Sequence, residues 1–391
     1  MKEDGIVMPK KICFLTTLPC TIEAFVFPLA EYLHTHTDWE ITFITGMDED
    51  YVKPLPEGVK VLRVHMHRGM SFDGLRAIRE LVAVFRREKF DLVQYSTPNA
   101  ALYASIAAKL VGVPVRLYCQ WGIVYVGSHG FKRVVFKLIE KFICRLSTWV
   151  EPDSFGNLHF SRAEGLYPKS KGSVIWNGSA CGVNLNKFDI SRRSGWRQAI
   201  RERYGIPTDA LVFGFIGRIT GDKGINELFS AYQKILKEFP NSFLMLVGGM
   251  EKADSVDDHL YAWAEEEPRV LFCGSTNVVE QYLAAMDVFI LPSYREGFGA
   301  VVVEAEAMGL PVIVTDIPGP TDAMREGETG LIVKKADIVT LVDAMRRLGN
   351  DKELCAMFSS NARLFIENSF EQSKLMQYIL EDRKRLMGIA E

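Results

Sequence analysis

Short apolar runs rich in β-branched and aromatic residues alternate with longer stretches of helical periodicity, and the whole alternation occurs twice along the chain. In the first half, KICFLTT (11–17), EITFIT (40–45), KVLRV (60–64), DLVQYS (91–96) and PVRLYC (114–119) read as strands. TWV (148–150) and SVIW (173–176) are candidates to complete that set, with helical patterns at 22–35, 71–88, 99–111 and 130–147. The runs are apolar almost without interruption, which is how parallel strands covered on both faces read. The pattern restarts with LVFGFIG (211–217), SFLMLVGG (242–249), RVLFCG (269–274), DVFILP (287–292), LPVIVT (310–315) and GLIV (330–333). Helical patterns at 224–238, 257–266, 276–285, 300–308, 320–325 and 338–348 separate these, and a last one spans 370–387. The fold class is therefore α/β, with two doubly wound, Rossmann-like domains. The polar, glycine-bearing connector at 177–210 puts a boundary near residue 190, giving domains at 1–190 and 191–368 and a closing helix at 369–391. In open α/β sheets ligands sit beyond the carboxyl ends of the strands, so the site is expected in a cleft where the two domains face one another.

A chain of 391 residues is long enough to bury two cores. With 48% hydrophobic and 24% charged residues it is neither disordered nor fibrous. The net charge of −3 conceals a basic first half and an acidic second half. Nucleic acid is not expected as a partner, because no chain-wide basic character exists. Seven cysteines, odd in number and without a C-x-x-C, read as reduced thiols in a cytoplasmic protein. The stretch MKEDGIVMPKKICFLTTLPC lacks the long apolar region of a signal peptide, and no apolar run approaches the ~18–20 residues of a membrane span.

The most informative segment is LPSYREGFGAVVVEAEAMGLPVIVTD (291–316). A strand ends, Gly297 and Gly299 bracket Phe298, and a helix begins near Ala300, where free N–H groups and the helix dipole attract an anion. Glu296 precedes that helix and Glu304 lies within it, so the two carboxylates can address different parts of one extended ligand. The plainer alternative is a helix cap followed by a surface glutamate. A second segment, FGFIGRITGDKGINELF (213–229), places Arg218 just after Gly217 at a strand end and Lys223 in a glycine-flanked loop. A guanidinium fork and a compact ammonium suit a diphosphate, while solvated loop cations are the alternative. Neither a GxxxxGK[ST] loop nor a GxGxxG after the first strand is present.

Taken together, GRITGDKG and EGFGAVVVE resemble the retaining glycosyltransferases of family 4, which have the GT-B fold. The resemblance is strong over 205–335 and extends more loosely along the chain, with WNGSACGVNLNKF (176–188) and SFEQSKL (369–375) as supporting pieces. The local matches are similar to bacterial enzymes of capsule and O-antigen synthesis. The resemblance implies an acceptor-binding first domain, a nucleotide-sugar-binding second domain, and a closing helix that returns to the first. It further implies that Arg218 and Lys223 bind the donor diphosphate and that Glu296 and the amides of Gly297, Phe298, Gly299 and Ala300 hold sugar and phosphate. Glu304 would then accept from the ribose hydroxyls. Catalysis would rest on Arg218, Lys223 and Glu296, with no cofactor and no metal, since no D-x-D motif stands at a strand end. Retaining transfer from a nucleotide sugar, UDP-linked, to a polyprenyl-linked glycan acceptor is the activity implied.

Departures fall in the first domain. Thr16 and Thr17, with Leu18, stand where many relatives have a glycine-rich loop, so phosphate contacts there fall to threonine hydroxyls and N–H groups. Gln120, Trp121 and Gly122 stand where many relatives carry a His-Gly pair; Trp121 either stacks on a sugar or fills core. In FKRVVFKLIEKFICRL (131–146), Arg133, Lys137, Lys141 and Arg145 recur every four residues. A basic helix of this kind suits an anionic membrane surface, as at the inner face of the cell membrane, or is a solvated stripe. Arg76, Arg79, Arg86 and Arg87 extend the basic character. The pairs His34/His36 and His65/His67 lack a third ligand at metal spacing. A GT-B sugar-nucleotide epimerase and a non-catalytic glycan- or nucleotide-binding protein remain as alternatives at this level.

Overall fold

The computed structural model describes residues 8–67, 69, 74–250 and 256–389. The first N-terminal residues and the opening of the 71–88 helix lie outside them.

The chain divides into two compact units. One is built on the residues up to Cys181 together with those from Ser373 onward, the other on Gly182–Gln372. The expected boundary at 190 therefore moves to 181, and the return at 369 moves to 373. Backbone pairing explains the shift: Val183 N–H donates to the Phe370 carbonyl at 2.8 Å and Gln372 N–H to the Val183 carbonyl at 3.0 Å. Both ends of the crossing are thereby stitched into the second unit.

The first unit carries a parallel six-stranded sheet of β1 (Lys11–Leu15), β2 (Glu40–Thr45), β3 (Val59–Arg63), β4 (Leu92–Tyr95), β5 (Val115–Gln120) and β6 (Trp149–Pro152). Its order is β3-β2-β1-β4-β5-β6. Alternate residues of β1 serve separate cores: Cys13 and Leu15 join one, Ile12 and Phe14 the other. Apolar side chains on both faces are why the sequence shows runs rather than alternation. The helix Gln372–Leu386 buries Leu375, Met376, Ile379 and Leu380 in the second of these cores. The stretch 173–176 forms no strand; beside it only Gly172 bridges to Val150.

The second unit repeats the design with β7 (Leu211–Ile216), β8 (Ser242–Val247), β9 (Val270–Phe272), β10 (Val288–Leu291), β11 (Val312–Thr315) and β12 (Gly330–Val333). The order β12-β11-β10-β7-β8-β9 is the same doubly wound order read from the other edge. The switch point lies between β7 and β10, where the connections depart to opposite sides. Strand positions follow the sequence reading closely; helices follow it less well. The pattern at 22–35 is two helices, Pro19–Phe25 and Phe27–His36, broken where Pro28 lacks an N–H. The stretch 320–325 is a series of turns rather than a helix. The polar connector contains the helix Arg193–Arg203, which is anchored because Arg197 and Arg201 both pair with Asp287 at the start of β10, at 2.6 and 2.8 Å. An 18-residue helix, Lys352–Ser369, was not legible as a separate element.

Candidate functional site

The informative residues of the second unit gather at the carboxyl ends of β7 and β10, the switch point itself. β7 ends at Ile216, and Gly217 and Arg218 follow directly. A single helical turn, Gly221–Lys223, then leads through Gly224 into the helix Ile225–Glu238. Gly224 has a left-handed φ of +72°, and a Cβ there would overlap the Pro292 carbonyl just beyond β10. Only glycine lets these two loops approach so closely.

The loops are joined crosswise. Asp222-Lys223 and Arg295-Glu296 are adjacent pairs of opposite charge order, and they meet with signs matched. Lys223 Nζ lies 2.6 Å from Glu296 Oε1, and Arg295 Nη2 lies 2.8 Å from Asp222 Oδ2. Tyr294 N–H donates to the Asp222 carbonyl at 2.9 Å, and the Ser293 hydroxyl donates to Glu296 Oε1 at 2.7 Å. Arg218 Nη2 approaches Asp222 Oδ2 at 3.6 Å. Burial works to raise the Asp222 carboxyl, but the Thr220 hydroxyl and the Arg295, Arg218 and Lys223 charges hold it below its ordinary value. Three cations, Arg218, Lys223 and Arg295, thus converge on the Asp222 and Glu296 carboxylates.

The glycine-bracketed loop is shaped by a second close approach. A Cβ on Gly319, at a left-handed φ of +101°, would overlap the Gly297 carbonyl. Phe298 points inward and packs on Phe370 with ring centroids 5.3 Å apart, so its backbone, not its ring, is what the loop can offer a ligand. Gly299, also left-handed at +86°, is the N-cap of the helix Ala300–Ala307, with no side-chain cap on the first-turn amides. Those amides carry the positive end of the helix dipole.

Glu304 sits on that helix, half-buried. Burial pushes its carboxyl up to about 7, Lys187 pulling it down and Glu280 pushing it further up. Lys187 Nζ is itself 3.8 Å from Glu280 Oε2. Such a carboxyl, crowded by protein yet still reached by solvent, has the environment of a ligand-binding group. Glu306, two residues on, is fully buried and belongs to the core.

Sequence reasoning missed Asp222, Ser293, Arg295, Lys187 and Glu280. Asp222 and Arg295 were detectable, since each adjoins a residue already singled out. Lys187 and Glu280 carry no local signal, being separated by almost a hundred positions.

In the first unit, Thr16 and Thr17 lie just beyond β1, buried. The Thr16 hydroxyl donates to the Leu18 carbonyl at 2.7 Å, and Thr17 N–H donates to the Thr97 hydroxyl at 3.1 Å. Gln120 ends β5 fully buried; its Nε2 donates to Glu140 at 2.6 Å and its Oε1 accepts from the Ser161 hydroxyl at 2.9 Å. Its amide is committed to the fold. Trp121 is half-buried against Phe25, ring centroids 5.4 Å apart, and Gly122 has a φ of +110°. Of the basic helix Gly130–Leu146, Arg133 and Lys137 both turn to Glu164, at 3.4 and 2.7 Å, while Lys141 and Arg145 are exposed. His65 and His67 pair with Glu80 and Asp48 respectively.

The description "Glycosyl transferases group 1" matches residues 197–365, and "Glycosyl transferase 4-like" matches 11–151. The chain is 32% identical to the Staphylococcus aureus capsular polysaccharide biosynthesis glycosyltransferase CapM over 300 residues, covering 76% of this chain and 78% of that one. It is 27% identical over 309 residues to an Escherichia coli UDP-Gal:α-D-GlcNAc-diphosphoundecaprenol α-1,3-galactosyltransferase, covering 78% of each. Among solved structures, sucrose-phosphate synthase from Thermosynechococcus elongatus superposes with a TM-score of 0.81 at 19% identity, covering 97% of this chain and 100% of that one. Two doubly wound units, a glycine-bracketed helix start carrying Glu296 and Glu304, and these matches along both units lead to one conclusion: the chain belongs to the family 4 glycosyltransferases of the GT-B fold.

Proposed function

We propose that this glycosyltransferase moves a hexose or N-acetylhexosamine, with retention, from a UDP-sugar to a polyprenyl-linked glycan during surface polysaccharide synthesis. The observation that carries the reading is the crosswise joining of Asp222-Lys223 with Arg295-Glu296 beside Arg218 and the start of the helix Ala300–Ala307, which no side chain caps. A diphosphate carries charge that grows as the sugar departs, and fixed cations with a helix N-terminus stabilise that growth most where it is largest. The similarity to a capsular enzyme and to an enzyme acting on a diphosphoundecaprenol-linked sugar from UDP-galactose supports the donor and acceptor classes.

In the reaction, Arg218 and Lys223 hold the diphosphate and Glu296 accepts from the sugar hydroxyls. Glu304 accepts from the ribose diol. The acceptor hydroxyl attacks the anomeric carbon on the face the leaving group vacates. The bond from that carbon to the β-phosphate oxygen breaks, and the hydroxyl proton passes to that phosphate. The side-chain cations supply the positive charge that a metal would otherwise bring, so turnover is expected without one.

The test is a panel of UDP- and GDP-sugars scored by thermal shift, followed by transfer to a polyprenyl-diphosphate-linked acceptor. A ligand at 100 times its Kd stabilises by about 2.7 kcal/mol, so the true donor separates from the rest. Absence of a shift with every UDP-sugar, or turnover that releases free UDP and sugar regardless of acceptor, overturns the reading.

A further inference from the structure

The loop after β10 is fastened at successive residues. The Ser293 carbonyl accepts from the Thr315 hydroxyl at the end of β11, and Tyr294 N–H donates to the Asp222 carbonyl at 2.9 Å. Arg295 and Glu296 make the crosswise pairs with Asp222 and Lys223. A third side-chain tie to the β7 side engages no group assigned to the donor: the Tyr294 hydroxyl donates to Glu227 Oε1 at 2.5 Å, across 67 positions. Glu227 stands in the first turn of the helix Ile225–Glu238, whose Ile225, Leu228 and Phe229 are fully buried in the core of the second unit. The phenol is therefore moored to a rigid element, whereas Asp222 and Lys223 belong to a single turn within a loop.

Burial and the Glu227 carboxylate push the Tyr294 hydroxyl up to about 12, so it stays a protonated donor through the neutral range. Stability alone does not favour the arrangement, because Glu227 Oε2 is buried with no hydrogen-bond partner among the described residues. A polar group retained against stability points to function. The plainer role for an acid in a first turn is to meet the helix dipole, but that role needs only the charge and no phenol facing it. A bound donor would compete for the crosswise pairs: phosphate oxygens draw Lys223, and sugar hydroxyls draw Glu296. The hold of those two residues on each other then weakens at the moment when the loop has to stay in place. The bond between Tyr294 and Glu227 is untouched by that exchange.

We propose that Tyr294 and Glu227 are positioning residues of the transferase: their hydrogen bond holds the Arg295-Glu296 segment against the helix Ile225–Glu238 while Lys223 and Glu296 turn to the donor. Both act through Glu296 and the amides that follow it, not by touching the sugar. The inference rests on the reading of Lys223 and Glu296 as donor contacts, and it names what keeps the loop in register once those contacts form.

The experiment uses the full chain and the donor that the UDP-sugar panel identifies, at a temperature well below the lowest melting point of the set. Tyr294→Phe removes one hydroxyl and keeps the ring; its kcat should fall by about ten- to a hundredfold, the cost of misplacing a reacting group by about 1 Å, with the donor KM kept within about threefold. Glu227→Gln, which still offers an oxygen to the phenol, should keep kcat within about threefold of wild type, whereas Glu227→Leu should match Tyr294→Phe, and combining the two losses should add nothing further. Hydrogen exchange supplies a readout without turnover: in Tyr294→Phe the amides of residues 295–299 should exchange about tenfold faster, with and without UDP, while those of β10 stay protected. Wild-type kcat in Tyr294→Phe overturns the proposal, whatever the melting temperature does, since a brace for stability alone predicts that result. Glu227→Gln as impaired as Glu227→Leu also overturns it, because charge at the helix start would then be what matters. Wild type that turns over no UDP-sugar counts against the functional reading, and unchanged exchange in Tyr294→Phe then overturns the positioning role by itself.

Discussion

Lys223 Nζ stands 2.6 Å from Glu296 Oε1, although 73 positions separate the two residues in the chain. The pair holds the loop after β7 against the loop after β10, and the Ser293 hydroxyl shares the same carboxylate oxygen. A nucleotide sugar would meet an ammonium already aimed and a carboxylate with one oxygen engaged. Such preorganisation is what makes fixed charge effective in a reaction.

Lys223→Ala should therefore lower kcat/KM by about 10²–10³, the range for removing one preorganised electrostatic group. Steady-state kinetics with the identified donor check this. Lys223→Glu/Glu296→Lys, which keeps the ion pair but exchanges its ends, should remain as inactive as the single variant; recovery of activity would mean that the pair serves only to join the loops.

With Glu304 in its proposed place at the ribose, donor binding is expected to depend on pH. Burial, partly offset by Lys187 and reinforced by Glu280, raises its carboxyl from an ordinary 4.5 to about 7. The ionised form is the better acceptor for two ribose hydroxyls, so affinity for a UDP-sugar should rise by about tenfold as pH passes upward through 7. Stability moves the other way. Between 4.5 and 7 the folded state keeps a proton that the unfolded chain has released, so this group's contribution to stability declines as pH rises through that window. Glu304→Gln should flatten both profiles, read by calorimetric titration and by thermal melting at each pH.

Glu306 is a stability cost inside the same helix. Neither of its carboxyl oxygens has a hydrogen-bond partner of good geometry among the described residues; the Thr329 hydroxyl beside it bonds the Arg325 backbone. Burial pushes its carboxyl well above the ordinary range, against the pull of Thr329 and Arg325. Glu306→Met should stabilise the fold by about 1–3 kcal/mol, the cost of an unsatisfied buried polar group. The gain should grow as pH rises, since the folded state must hold the proton that the unfolded chain gives up. Chemical denaturation of variant and wild type across pH measures it.

Arg383 anchors the closing helix within the first unit. It is 1% exposed, donates through Nη2 to Glu151 Oε1 at 2.9 Å and to Gln94 Oε1 at 3.0 Å, and pairs with Asp382 at 3.0 Å. Burial opposes its charge, but the Glu151 carboxylate beside it keeps the guanidinium above its usual value. Arg383→Ala leaves Glu151 buried without its cation and should cost about 3–5 kcal/mol. Arg383→Met/Glu151→Met, which removes both charges, should recover most of that loss in the same denaturation experiment.

Strand positions and parallel topology were legible because a strand covered on both faces must be apolar at successive positions, as Ile12, Cys13, Phe14 and Leu15 are in β1. The placement of the candidate site residues was legible for a similar reason: Arg218, Lys223, Glu296 and Glu304 each lie within a few residues of a strand end or a helix start, so local pattern locates them. What tertiary structure alone decided is which charges meet. The pairing of Asp222 with Arg295 spans 73 positions, and that of Lys187 with Glu280 spans 93. No local periodicity encodes such distances. Nor could spacing reveal that Gln120 is consumed by Glu140 and Ser161, or that the helix bearing Lys141 keeps Ile143 and Cys144 in the core and leaves Phe131 and Leu138 exposed. A helical pattern records that two faces differ; only packing against the sheet determines which one the protein keeps for itself.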